Sequence, residues 1–155
     1  MRRALALMLL IGWPSLVPPA WAAEPIVGLW RLQQQEIDGQ AGKVEPLTLR
    51  IYQAGDKLTF TFSTPMNDIY FVTTTYTLRV DGSSSDILNA NGQKIGTIQM
   101  TSSASGRYEL TMKGPNRPES RGTLTVSADR KMLVSESDAT QAGRTVHSKQ
   151  TFVRS

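Results

Sequence analysis

Apolar and polar residues alternate with a period of two along most of the chain beyond residue 25. Ile26, Gly28, Trp30 and Leu32 fall on one face of the first such segment, and Arg31, Gln33 and Gln35 on the other. Leu47, Leu49 and Ile51 alternate with Thr48 and Arg50, and Leu58, Phe60 and Phe62 with Thr59, Thr61 and Ser63. Tyr70, Val72, Thr74, Tyr76, Leu78 and Val80 then share the face of one long segment. A run over 93–101 follows, then Tyr108, Leu110 and Met112 against Glu109 and Thr111, and Leu124 and Val126 against Thr123 and Thr125. A short run over 132–136 precedes the last, in which Val146, Ser148, Gln150 and Phe152 coincide. Each segment reads as a strand with one buried face. Ala54-Gly55-Asp56, Asp81-Gly82, Asn91-Gly92, Ser105-Gly106, Asp129-Arg130 and Ala142-Gly143 punctuate them as hairpin turns. No stretch of a dozen residues keeps a 3.6-residue period. The expectation is an all-β fold, a single antiparallel up-and-down β-barrel of about eight strands, whose closure removes exposed edges.

The first residues follow a different pattern. Arg2-Arg3, an unbroken apolar run from Ala4 to Ile11, the prolines 14, 18 and 19, and Ala20-Trp21-Ala22 reproduce the layout of a cleaved secretory signal. The apolar stretch is short and broken by proline, so no stable membrane span is expected once it is removed. Cleavage is placed after Ala22, with Ala23 as the neighbouring choice and an uncleaved anchor as the alternative. The expected domains are a signal peptide over 1–22 and one barrel over 23–155, at a periplasmic or secreted location. About 130 residues suffice for one domain that buries roughly two thirds of its unfolded surface.

Composition narrows the chemistry. The chain has no cysteine, which excludes disulfides, thiolate nucleophiles and zinc–sulfur sites. A cysteine-free exported protein of this size suits a bacterial periplasm. Without Arg2 and Arg3, the seventeen basic residues fall to fifteen against thirteen acidic ones, a net charge of +2 with the signs interspersed. No basic stripe interleaved with aromatics is present, so nucleic acid is not an expected partner. The one local excess, from Lys113 to Arg121, reads as a solvated turn.

Two short motifs then gain meaning. Gly28-Leu29-Trp30 on the first strand and Thr151-Phe152-Val153-Arg154 on the last, with Arg121-Gly122-Thr123-Leu124-Thr125-Val126-Ser127 and Gly143-Arg144 between them, resemble the calycin superfamily, in particular small exported bacterial lipocalin-like domains. That resemblance implies that Trp30 plugs the closed end of the barrel and Arg154 packs over it, leaving Gly28, Trp30 and Arg154 as structural closure residues. Parity permits this, since Trp30 and Arg154 both lie on inward faces. The chain departs from the family in lacking a disulfide, recognisable lid loops and a helix before the last strand.

The search for catalytic groups is mostly negative. His147, the lone histidine, alternates outward beside Lys149 and Thr151. No G-x-S-x-G run, phosphate-cradling glycine loop or convergent set of metal ligands is present. Spacing alone leaves paired-carboxylate chemistry open, but the acidic residues sit at turns and outward positions. The expectation is therefore no enzyme, no catalytic residue, no metal and no cofactor. What remains is binding. Tyr70, Thr74, Tyr76, Ser148 and Gln150 are polar residues on inward faces among large apolar ones, the mixture that lines small-molecule pockets. They are the candidate ligand-binding residues. The alternative is that the hydroxyls reach solvent at the mouth or pack as core. Two functions stay open: a carrier or sensor of a small, mainly apolar ligand, and a protein-interaction or inhibitor module that uses loops or outer faces.

Overall fold

The structure, a computed structural model, describes residues 23–66, 69–115 and 118–155; the signal segment over 1–22 lies outside these residues. Eleven strands follow one another: β1 (Gly28–Ile37), β2 (Gln40–Ala41), β3 (Thr48–Ala54), β4 (Lys57–Met66), β5 (Ile69–Leu78), β6 (Ser85–Asn89), β7 (Lys94–Ala104), β8 (Arg107–Lys113), β9 (Ser120–Val126), β10 (Met132–Gln141) and β11 (Arg144–Arg154). No helix occurs among the described residues. Apart from β2, which folds back on the end of β1, each strand pairs antiparallel with its neighbours in sequence, and β11 closes on β1. The result is an up-and-down barrel. Its ring contains ten strands rather than about eight. The added ring strand is β6, whose Ser-Asp-Ile-Leu-Asn sequence carries the composition of a turn and offers too few apolar positions to show alternation.

Asp38-Gly39 and Ala142-Gly143 both have positive φ at two successive positions, as type I′ hairpin turns require. At Ala142-Gly143 that geometry continues the ladder of β10 and β11 without a break from Met132↔Val153 to Gln141↔Arg144.

Two irregularities in the ladder reset which side chains face inward. One residue of β1 is skipped between Leu32 and Gln34, so Leu32 faces Phe152 while Gln35 faces Gln150 and Ile37 faces Ser148. One residue of β5 is skipped as well: Phe62 pairs with Thr74, but Ser63 pairs with Val72, leaving Thr73 unmatched. Because the side-chain period is two, an extra residue turns every later side chain to the other face. Gln35 thus joins the inward side, contrary to simple alternation, while Tyr70 and Val72 move to the outer one.

The lower end of the barrel is filled. Trp30, Phe60, Tyr108, Leu133, Ile98 and Met100 have no exposed surface. Residues 23–27 cross beneath the strands and bury Ile26, whose carbonyl accepts a hydrogen bond from Trp30 Nε1 at 2.9 Å. The Arg154 guanidinium lies 4.2 Å from the centre of the Trp30 ring. It donates to the carbonyls of Val27 (2.7 Å), Pro25 (3.0 Å) and Arg130 (2.6 Å). One side chain therefore ties three segments of the floor together and adds cation–π attraction to the indole. Gly28 makes room for it: a Cβ there would come within 2.3 Å of Arg154 Nη1. Tyr108 completes the floor by donating to Glu24 Oε2 at 2.8 Å. Burial and the neighbouring Glu24 carboxylate both hold its phenol well above the ordinary value.

Candidate binding cavity

Above this floor the interior changes character. The inward positions of β9, β10 and β11 become smaller and more polar toward the upper end: Leu124 gives way to Gly122, Leu133 to Ser135 and Ser137, and Phe152 to Gln150 and Ser148. The opposite wall stays aromatic. Phe60 and Tyr76 are stacked at 4.9 Å between ring centres, and Phe62 lies tilted 6.0 Å from Tyr76. Small residues facing large rings leave a cavity of about 170 Å³, lined by Phe60, Phe62, Tyr76, Met112, Ser135 and Gln150 among others. Its chemistry is an apolar chamber with a few hydrogen-bonding groups along one wall, the usual composition of a small-molecule site. The side chains of Tyr76, Ser135, Ser137 and Gln150 form no hydrogen bond with other described residues. Burial raises the Tyr76 phenol above its ordinary value, so at neutral pH it is a hydrogen-bond donor and never a phenolate.

The sequence-derived site residues separate into three groups. Tyr76 and Gln150 line the cavity. Thr74 and Ser148 are half-buried on the same inward faces, paired with Phe62 and with Ser137, but lie outside the cavity wall. Tyr70 is elsewhere. The skip at Thr73 puts it on the outer surface, 56% exposed, in a groove with Leu29, Arg31, Arg50, Tyr52 and Val72. Ser135 and Ser137 were not singled out from sequence. Their signal is the Leu133-x-Ser135-x-Ser137 alternation, in which small hydroxyls take the place of large apolar residues on an inward face.

A second concavity, on the outer surface, shares a wall with the chamber. It is lined by Arg107, Glu109, Arg121, Glu136, Asp138 and His147. Leu110, Gly122, Glu136 and Ser137 border both spaces. At Gly122 the partition has no side chain, and none would fit, since a Cβ would lie 2.6 Å from the Glu136 carbonyl. His147 Nδ1 is 2.8 Å from Asp138 Oδ1, and Lys149 Nζ is 3.8 Å from Glu136. These are exposed pairs in solvent, of the kind that contribute little to stability. No group of three or more carboxylates or histidines that could hold a metal occurs among the described residues.

No family model matches the sequence, and no curated protein matches it. Solved structures do. The ileal bile acid-binding protein of zebrafish, complexed with cholic acid, superposes with a TM-score of 0.61 at 24% identity, over 85% of this chain and all of the other. An S-type phycobiliprotein lyase, CPES from Guillardia theta, gives a TM-score of 0.53 at 15% identity, over 84% of this chain and 89% of that one. At these identities the likeness is one of fold: the molecule is a closed antiparallel β-barrel.

Proposed function

We propose that this protein is an exported binding barrel, a carrier or sensor of a small, mainly apolar molecule with a hydrogen-bonding group. The observation that supports this most directly is the chamber above the floor, where aromatic rings face Ser135, Ser137 and Gln150 and the polar groups have no partners among the described residues. The cholic acid in the zebrafish protein of the same fold agrees with this reading. Export rests on the signal layout over 1–22.

Size sharpens the ligand class. About 170 Å³ is close to an apolar cavity that accepts benzene, at about 150 Å³. It is well below the roughly 300–1,000 Å³ that enclose a drug-sized molecule. The chamber thus suits a single ring or the end of an acyl chain, entering from above with its polar atoms toward Gln150 and the two serines. Tyr76 donates to an acceptor oxygen on the guest, and the stacked Phe60–Tyr76 pair offers it a flat apolar wall.

Native mass spectrometry of protein isolated from its own periplasm tests the reading. A reproducible adduct, displaced by small aromatic or short-chain amphiphiles, is the expected result. Repeated isolation of the bare chain, with no binding of fluorescent aromatic or acyl probes, would refute it.

A further inference from the structure

The upper ends of β4 and β5 outrun their neighbours. β3 begins at Thr48, which pairs with Ser63, so Thr64 and Pro65 have no partner on that side. β6 reaches only Thr74, Thr75 and Tyr76, so Ile69–Thr73 have none on the other. Among the described residues these pair only with one another, as a two-stranded ribbon standing above the barrel. Such a ribbon is marginal in water, and both its edges are open. It nevertheless carries four consecutive large apolar residues, Ile69 (61% exposed), Tyr70 (56%), Phe71 (44%) and Val72 (43%). A run of that length on a surface calls for a partner. Between Lys57 and Arg79 the only charged residue is Asp68, which lies outside the described residues.

The register shows what kind of partner fits. Tyr70 and Val72 follow Pro65 and Ser63 on the outer face, while Phe71 follows Thr64 on the face toward the mouth, with Ile69 two residues before it. A groove on another protein covers one face of a ribbon; an interface that surrounds the ribbon covers both. The outer face also continues into a groove of about 490 Å³ that joins Tyr70 and Val72 to Tyr52, Leu29, Arg31 and Arg50. Leu29 is opposite Arg50 and Arg31 opposite Thr48, so the two arginines are diagonal neighbours on one surface. Neither is in an ion pair among the described residues. Two uncompensated cations below an apolar, tyrosine-bearing tip match the layering of a bilayer with acidic head groups.

We propose that the ribbon docks the protein on a membrane surface containing acidic lipids, with Ile69, Tyr70, Phe71 and Val72 inserted and Arg31 and Arg50 among the head groups. Insertion is shallow. The unpaired backbone groups at the ribbon's edges need water or head-group partners, which only the interfacial layer supplies. The mouth of the barrel then faces the bilayer. Docking does not depend on any occupant of the chamber.

Co-sedimentation with vesicles tests this, using protein purified from the producing cell so that wild type and variants are processed alike. Wild type binds mixed phosphatidylcholine–phosphatidylglycerol vesicles more tightly than phosphatidylcholine alone. Ile69→Ser/Phe71→Ser weakens binding to both compositions by about tenfold or more. Tyr70→Ser/Val72→Ser, on the other face, does the same and guards against a folding defect in the first pair. Arg31→Gln/Arg50→Gln weakens binding to the mixed vesicles by roughly twenty- to thirty-fold and removes the preference for acidic lipid. Absence of wild-type sedimentation overturns the proposal, as does unchanged binding by both ribbon variants. Equal occupancy of the groove by soluble glycerol phosphate overturns it in favour of a small-anion site. A wild-type dimer that the ribbon variants dissolve, without vesicle binding, overturns it in favour of a second copy.

Discussion

The two ends of the barrel are built from the same strands by opposite rules. At the lower end most inward positions are large and apolar, the indole of Trp30 is sealed beneath a guanidinium, and the polar atoms of the floor have partners. At the upper end the inward residues of three adjacent strands shrink to glycine, serine and glutamine, and polar groups face a cavity. Packing density supplies stability, and each omitted side chain gives some of it up. Concentrating the packing at one end lets the other end forgo it. A closed ladder makes that division possible, because the hydrogen bonds between strands continue past the point where the core stops.

Truncating the floor is therefore the most damaging change expected. Trp30→Ala should lower stability by about 3–5 kcal/mol and depress the thermal midpoint strongly; an unchanged melt would show that the floor is not the keystone. Arg154→Met keeps a long apolar stem over the indole but loses three donors to carbonyls, and should cost about 2–3 kcal/mol in urea unfolding.

Alkaline pH probes both ends together. The phenols of Tyr76 and Tyr108 are held above their ordinary value of 10.0 in the folded protein. The unfolded chain consequently releases protons first as pH rises. This stabilisation is fully present below pH 10 and is lost above it, by up to about 1.4 kcal/mol per tyrosine for each further pH unit. Unfolding free energies measured from pH 9 to pH 11 should fall in this way, and Tyr76→Phe should remove about half of the slope. A flat profile would mean that neither hydroxyl is desolvated, and half the slope that only one is.

The smallest expected effect sharpens the contrast most. Gln150→Leu fills part of the chamber with apolar atoms and should change stability by only about 0.5 kcal/mol, because no partner within the described residues is orphaned. It should nevertheless abolish the small-molecule adduct in native mass spectra. A large loss of stability would place Gln150 with the floor instead.

Much of this arrangement could be read from alternation. The period of two located nine of the ten ring strands, and it placed Trp30, Phe60, Leu124 and Phe152 on inward faces. It failed where the ladder skips a residue. Thr73 lies in a run of three threonines, and Gln33 in a run of three glutamines. In such uniform runs nothing marks which residue lacks a partner, so the reversal of Tyr70, Val72 and Gln35 left no trace in the sequence. β6 was hidden for another reason: it pairs with β5 at only three positions and holds little core. Of the cavity's four polar side chains without partners among the described residues, two were legible, Tyr76 and Gln150. Ser135 and Ser137 define it by how little space they fill, and small size alone does not distinguish a cavity wall from a surface.

Trp30 is the only tryptophan in residues 23–155. Its ring is wholly sheltered, and it contacts a cation that is itself fixed by three carbonyls. The intrinsic indole emission of the barrel therefore comes from a single chromophore in a single environment, at the end remote from the mouth. A guest entering above the aromatic rings should leave that spectrum nearly unmoved, whereas loss of the floor should shift it to the red at once. The barrel carries its own optical gauge of global unfolding, one that is blind to whatever occupies the chamber.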